Sequence, residues 1–227
     1  SVPLFAAIVL AFIGDRKYAP EINILGSAAT FAAGIALALE VYVKGPMLAG
    51  GNFFFVDAFN VYLAVLTSFV SMTTAIFSRR YMRKERQDGH VGPIRMRFYH
   101  AMFQLFIFAM LLCLLTNNVG VLWIAMELAT LSTVLLVSLY RTPSAIEAAW
   151  KYFILCGVGI ALALFGTVLL YFAAEKVLGA GGEALLWTNL SQVSGKLEPT
   201  VLSLAFVFLM VGYGTKVGLV PVHNWLP

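Results

Sequence analysis

The sequence predicts an all-α polytopic membrane protein of about seven transmembrane helices, and two observations carry that prediction. Of its 227 residues, 61% are hydrophobic and only 11% charged, where an ordinary soluble domain has roughly a quarter charged. Residues 22–39, 58–78, 98–126, 152–174 and 199–215 contain no Asp, Glu, Lys or Arg, and each run reaches or approaches the roughly 17 to 25 residues of a spanning helix. The period-two alternation that a membrane barrel requires is missing from them.

The first apolar run, residues 2–13, is shorter than the about 20 residues a span needs. It lacks a basic flank and a cleavage site, so it reads as a cut span rather than a signal peptide. Asp15, Arg16, Lys17, Tyr18, Ala19 and Pro20 form a polar turn, and the second span follows from Glu21 to Val43, ended by Lys44, Gly45 and Pro46. The aromatic, glycine-led stretch GGNFFFVD at 50–57 suits an interfacial connection before the third span at 58–78. Residues 79–97 hold seven Lys or Arg against one Glu and one Asp, and read as a loop broken by Gly89, Gly92 and Pro93.

From Phe98 to Tyr140 the chain is too long for one span, and Thr116, Asn117 and Asn118 supply the break between a fourth and a fifth. Arg141, Thr142 and Pro143 turn the chain. Ser144 is placed to cap the sixth helix, with Glu147 as the capping-box acid. That helix runs to about Ala174, and the Gly-rich connection 175–198 includes a WTNLSQV segment suited to the interface. The seventh span begins near Pro199. In it Gly212, Gly214, Gly218 and Pro221 surround Lys216, a density of helix-weakening residues that predicts a broken helix.

Ten of the fifteen Lys and Arg fall in the connections after the first, third and fifth spans, against three on the other side. The ten mark the cytoplasmic face. The net charge of +4 is thereby explained by orientation rather than by nucleic acid. Cys113 and Cys156 lie inside apolar runs without CxxC spacing, so they read as packed or lipid-facing hydrophobes. GxGxxG, P-loop, HExxH and serine-elbow motifs are missing, and the sequence offers no nucleophile or cofactor signature of its own.

The residues that can carry chemistry are the charges inside spans. Glu127 lies about ten residues into its helix, or about 15 Å at 1.5 Å per residue, close to the middle of a roughly 30 Å core. An ionisable group at that depth costs on the order of 2.5 to 3.5 kcal/mol on insertion scales and usually faces a protein interior or a water path. Lys216 is its natural partner. Such a pair holds or releases a proton according to its separation, although a static packing pair has the same composition. Lys151 follows Glu147 by one turn, in the favourable i,i+4 order, and reads equally as an anchor or a relay. His223 in PVHNWLP is a further relay candidate, whereas His90 and His100 read as interfacial.

Three passages carry a family resemblance: TNNVGVLWIAMELATLS at 116–132, SAIEAAWKYFILCGVGIALALFGTVLLY at 144–171 and GYGTKVGLVPVHNWLP at 212–227. In them the chain resembles the antiporter-like membrane subunits of respiratory complex I, group 4 membrane-bound hydrogenases and Mrp-type antiporters, in particular the hydrogenase-4 component F branch. The resemblance implies a coupled proton-carrying pair at Glu127 and Lys216, a further polar-axis lysine at Lys151 and a histidine at His223. It implies that residues 1–97 are helices one to three with a basic cytoplasmic loop, and that 98–227 are the incomplete first repeat of an inverted-repeat domain. The chain thus reads as an N-terminal fragment of an inner-membrane, proton-translocating subunit. Iron–sulfur clusters and a nickel–iron centre or flavin are expected in partner subunits of a respiratory or hydrogenase complex, with no cofactor in this chain. A sodium/proton antiporter subunit and a non-transporting scaffold are the alternative readings.

Overall fold

The computed structural model describes residues 1–226. Seven helices stand side by side: α1 (Val2–Ile13), α2 (Ala19–Lys44), α3 (Ala58–Gln87), α4 (Pro93–Leu115), α5 (Val119–Val137), α6 (Pro143–Leu178) and, after the short α7 (Trp187–Val193), α8 (Pro199–Val217). All but α1 and α7 are long and apolar enough to cross a membrane. The protein is an all-α, multi-pass membrane bundle. Helix α1 packs on α4 and α2, α2 on α3, α4 on α5, α5 on α6, and α6 most extensively on α8.

Helix starts are set by side chains that accept otherwise unpaired amides. Asp57 and Asn60 form a reciprocal capping box on α3, with bonds of 2.8 and 2.9 Å. Asn118 Oδ1 accepts from Gly120 and Val121 at the head of α5, and Glu198 from Thr200 and Val201 at the head of α8. For α6 the cap is Thr142 rather than Ser144, its Oγ1 accepting from the Ala145 amide at 3.2 Å. Pro143 takes the first helical position, where its missing amide hydrogen costs nothing, so the helix starts one residue before Ser144. Glu147 is left free to pair with Lys151.

The basic run 79–97 is not one loop. Helix α3 continues through Gln87 and α4 starts at Pro93. Arg, Lys, Glu and Gln are good helix formers, so charge takes this run out of the membrane without unwinding it; the turn itself falls at Gly89, with φ 79°. The aromatic stretch before α3 folds as a hairpin, β1 (Met47–Ala49) against β2 (Phe54–Val56), with Leu48 opposite Phe55. Its turn places Gly50, Gly51 and Asn52 at φ 61°, 66° and 69°, a left-handed run open to Gly and Asn but not to bulkier residues.

The two ends of the bundle are tied differently. At the basic end, Arg97 clamps both Asp15 oxygens at 2.8 and 3.1 Å, Arg79 and Arg83 share Glu21 Oε1, and the Tyr81 and Tyr140 hydroxyls meet at 2.9 Å. At the other end Asn117 is the common partner. Its Nδ2 donates to Asn52 O and Thr188 Oγ1, its amide to Phe53 O, and its carbonyl accepts from Trp187 N. The three connections at that end are therefore joined through one side chain and its backbone.

His100, expected at the interface, is buried on α4 with 1% of its surface exposed. Beside it in the α2–α3–α4 interior, Gln104 Nε2 donates to Asn23 O, Asn23 Oδ1 and Ser27 Oγ. His100 follows the charged run closely in sequence, but α4 has already entered the bundle there.

Candidate functional site

The site lies where α5, α6 and α8 meet. Its geometry depends on an unusually close approach of α6 and α8. A Cβ added at Gly212 would stand 2.6 Å from both Ala163 N and Gly159 O, and one at Gly159 would stand 2.7 Å from Thr215 Cβ. Small residues let membrane helices approach backbone to backbone. Packing of this kind holds α8 continuous through Gly212 and Gly214. The helix breaks later than the glycines predicted, at Gly218, which is left-handed at φ 84°.

Lys216 stands in the last turn before that break. Its ammonium donates to Thr130 Oγ1 on α5 and to Tyr152 OH on α6, the latter at 3.1 Å. It is 5.1 Å from the Tyr152 ring centre, so the contact is with the phenol oxygen rather than the ring face. The hydrogen bonds have a consistent direction. Thr130 passes its own hydrogen to Met126 O at 2.9 Å. Tyr152 OH lies 2.9 Å from Thr133 Oγ1, whose hydroxyl also reaches Ala129 O. Tyr152 and Thr133 thus form a line of two hydroxyls from Lys216, the second lying one turn beyond Thr130 toward the end of α5 that carries Tyr140.

Glu127 sits one helical turn before Thr130. One carboxylate oxygen, Oε2, is buried without a hydrogen-bond partner among the described residues. Glu127 and Lys216 flank Thr130, and neither belongs to any of the ion pairs among the described residues. Lys151 pairs with Glu147 at 2.7 Å, and both side chains are more than 60% exposed, on the outer face of α6. The structure therefore brings Lys216 next to Tyr152 and leaves Lys151 turned away from it. Successive residues of a helix point about 100° apart, so neighbours in sequence do not share a face.

Beyond Gly218 the chain folds back over the site. Trp225 Nε1 donates to Thr215 O at 2.7 Å and its ring lies 5.1 Å from that of Tyr152. Pro221 and His223 lie in this return; His223 is half-buried, with Nδ1 unpartnered among the described residues.

Thr130, Thr133, Tyr152 and Trp225 were not singled out by the sequence reading, which ranked residues by formal charge. A signal for Tyr152 exists: it lies four, seven and eleven residues before Cys156, Gly159 and Ala163, all buried on α6, and so extends the stripe facing α8.

A bundle of this form, with a lysine among hydroxyls at the end of its last helix and an acid on α5, defines an antiporter-like membrane subunit. The chain belongs to that family: residues 116–227 match the family described as NADH:quinone oxidoreductase/Mrp antiporter, transmembrane. It is 45% identical over 225 residues to the hydrogenase-4 component F homolog of Methylacidiphilum infernorum, covering 99% of this chain and 46% of that protein. Its fold is similar to a chain of the membrane-bound sulfane sulfur reductase, an archaeal respiratory membrane complex, with TM-score 0.83, 21% identity and coverage of 99% and 45%. A chain of respiratory complex I from Thermus thermophilus matches with TM-score 0.70, 25% identity and the same coverage. The chain spans less than half the length of these relatives.

Proposed function

We propose that this chain is the first part of a proton-translocating membrane subunit in an energy-converting oxidoreductase complex of the hydrogenase-4 or NADH:quinone oxidoreductase kind. It lies in the inner membrane with its basic end in the cytoplasm. Residues 98–227 carry the transporting site and residues 1–97 flank it. Redox chemistry takes place in partner subunits that hold iron–sulfur clusters and a nickel–iron centre or flavin. Membrane and hydrophilic partners both follow from this reading.

One observation carries the proposal: Lys216 is engaged by two hydroxyls, while Glu127, the acid within a turn of the same Thr130, keeps an unpartnered buried oxygen. An ammonium in a membrane interior is costly without a counter-charge. Movement of Lys216 toward Glu127 stabilises its charged form. Movement toward Tyr152 withdraws that support and favours release of its proton, which the hydroxyls leading from the basic end then replace. Lys151, paired with Glu147 on the outer face of α6, joins the polar axis at the basic end by turning inward from that pair, and His223 serves the Gly218 return. The Gly212, Gly214 and Gly218 sequence and Pro221 set where α8 ends and hence where Lys216 swings.

The test is Glu127→Gln in the full-length subunit within its assembled complex. Proton pumping per electron should fall about tenfold or more, since about 1.4 kcal/mol of lost coupling already gives a factor of ten, while assembly persists. Unchanged pumping in the assembled variant would refute the mechanism. Transport that depends on sodium and proceeds without electron transfer would move the protein to the antiporter reading.

A further inference from the structure

At the basic end, outside the Lys216 site, the connection before α2 and the ends of α2, α3 and α4 line an open cavity of about 510 Å³. Its walls carry Arg16, Lys17, Arg83 and Arg86, and its floor includes Met82 and Met96, which are 2% and 4% exposed. No carboxylate lines it among the described residues. Two acids nearby are already engaged: Asp15 is held by Arg97, and Glu21 Oε1 takes both Arg79 and Arg83. Among the described residues Arg86 bonds to a backbone oxygen alone, Asp15 O at 2.6 Å, and Arg16 and Lys17 are exposed.

Four cations above a methionine floor make an amphipathic receptor, and it sits where α2 and α4 begin, at the level of the lipid headgroups. We infer that this cavity binds the headgroup of one anionic glycerophospholipid. The phosphodiester answers Arg16, Lys17 and Arg86, and the glycerol and upper acyl chains lie against Met82 and Met96. A choline headgroup would bring its own cation against the four and is disfavoured by the same charges. The space is much larger than isolated waters need, at about 30 Å³ each, and falls within the roughly 300 to 1,000 Å³ of ligand pockets. Basic pockets between membrane helices on the cytoplasmic side are suited to such headgroups.

The experiment uses the full-length subunit in its purified complex, titrated with phosphatidylglycerol and read by native mass spectrometry. Wild type should retain one phosphatidylglycerol in preference to phosphatidylcholine. Removing a surface cation weakens such binding about fivefold, so Arg16→Gln with Lys17→Gln should weaken it on the order of 25-fold. Arg80→Gln with Lys84→Gln, equally basic and exposed at the same end but outside the cavity, should change it less than about twofold. Lys17→Gln alone reads the single step of about fivefold should the pair fail to assemble. Equal losses in the two pairs would mean diffuse surface attraction and overturn the site. So would undiminished binding in the cavity variants, equal retention of phosphatidylcholine, or displacement by millimolar inorganic phosphate, which would mark a soluble-anion site.

Discussion

Lys216 and Tyr152 show how much of this site rests on uncharged oxygens. The phenol supplies one of two acceptors for the ammonium and connects it to Thr133. Tyr152→Phe removes that acceptor while keeping the ring against Trp225. A hydrogen bond to a charged group contributes about 1.5 to 3 kcal/mol, so proton transport should fall by roughly one to two orders of magnitude, measured in vesicles containing the assembled complex. Transport at the wild-type rate would show that the hydroxyl line is structural. Glu127 and Lys216 stand out in the sequence because charge in an apolar run demands a reason, but charge alone does not say which way a side chain turns: Lys151 lies exposed beside Glu147, and His100, expected at the interface, is buried. The hydroxyls between them were not, since Thr and Tyr recur along these helices and only the packing register distinguishes Thr130 and Tyr152. The register also shows what sequence adjacency hides: Lys151 and Tyr152 are consecutive and face different surroundings.

Helix α8 depends on α6 at a spacing that tolerates no added carbon at Gly212. Overpacking ordinarily costs about 1 to 3 kcal/mol, and here the obstruction is backbone, which cannot rotate away. Gly212→Leu should therefore lower the thermal stability of the solubilised protein by at least that amount and disturb transport with it. An unaltered melting temperature would show that α8 has room to shift. The connections answer to a different force. Arg97 holds the Asp15 carboxyl below the usual carboxylate range, so the stabilisation from this pair is fully present above the ordinary value of about 3.9. It is lost as pH falls through the lowered one. Arg97→Gln should leave a protein whose melting temperature declines less steeply between pH 5 and pH 3 than that of wild type; parallel profiles would contradict the assignment. The spans themselves could be read from composition, because bilayer thickness imposes their length. The connections could not, since Arg and Lys favour helix as readily as they mark a loop, and α3 consequently extends to Gln87. The same physics hid the end of α8, where close packing on α6 overrides the helix-weakening tendency of Gly212 and Gly214 until Gly218.

Across the whole molecule the connections form two groups, one tied by arginine–carboxylate pairs and the other by Asn117. The line of hydroxyls from Lys216 leads toward the arginine group. Whether that line takes protons from the cytoplasm or delivers them outside depends on which group faces inward. The excess of Lys and Arg predicts the arginine group in the cytoplasm, and under the proposed function the Lys216 line is then an entry path. Orientation can be read with single cysteines in the full-length protein after Cys113→Ala and Cys156→Ala remove the native thiols. Lys84→Cys, exposed near the end of α3, should react with a membrane-impermeant maleimide in inverted vesicles and stay protected in intact cells; Lys196→Cys, exposed between α7 and α8, should do the reverse. The opposite pattern would turn the molecule over and make the same hydroxyls an exit. Labelling of both positions from one side would contradict the bundle itself, because the three helices between them, α4, α5 and α6, could not then all cross the membrane.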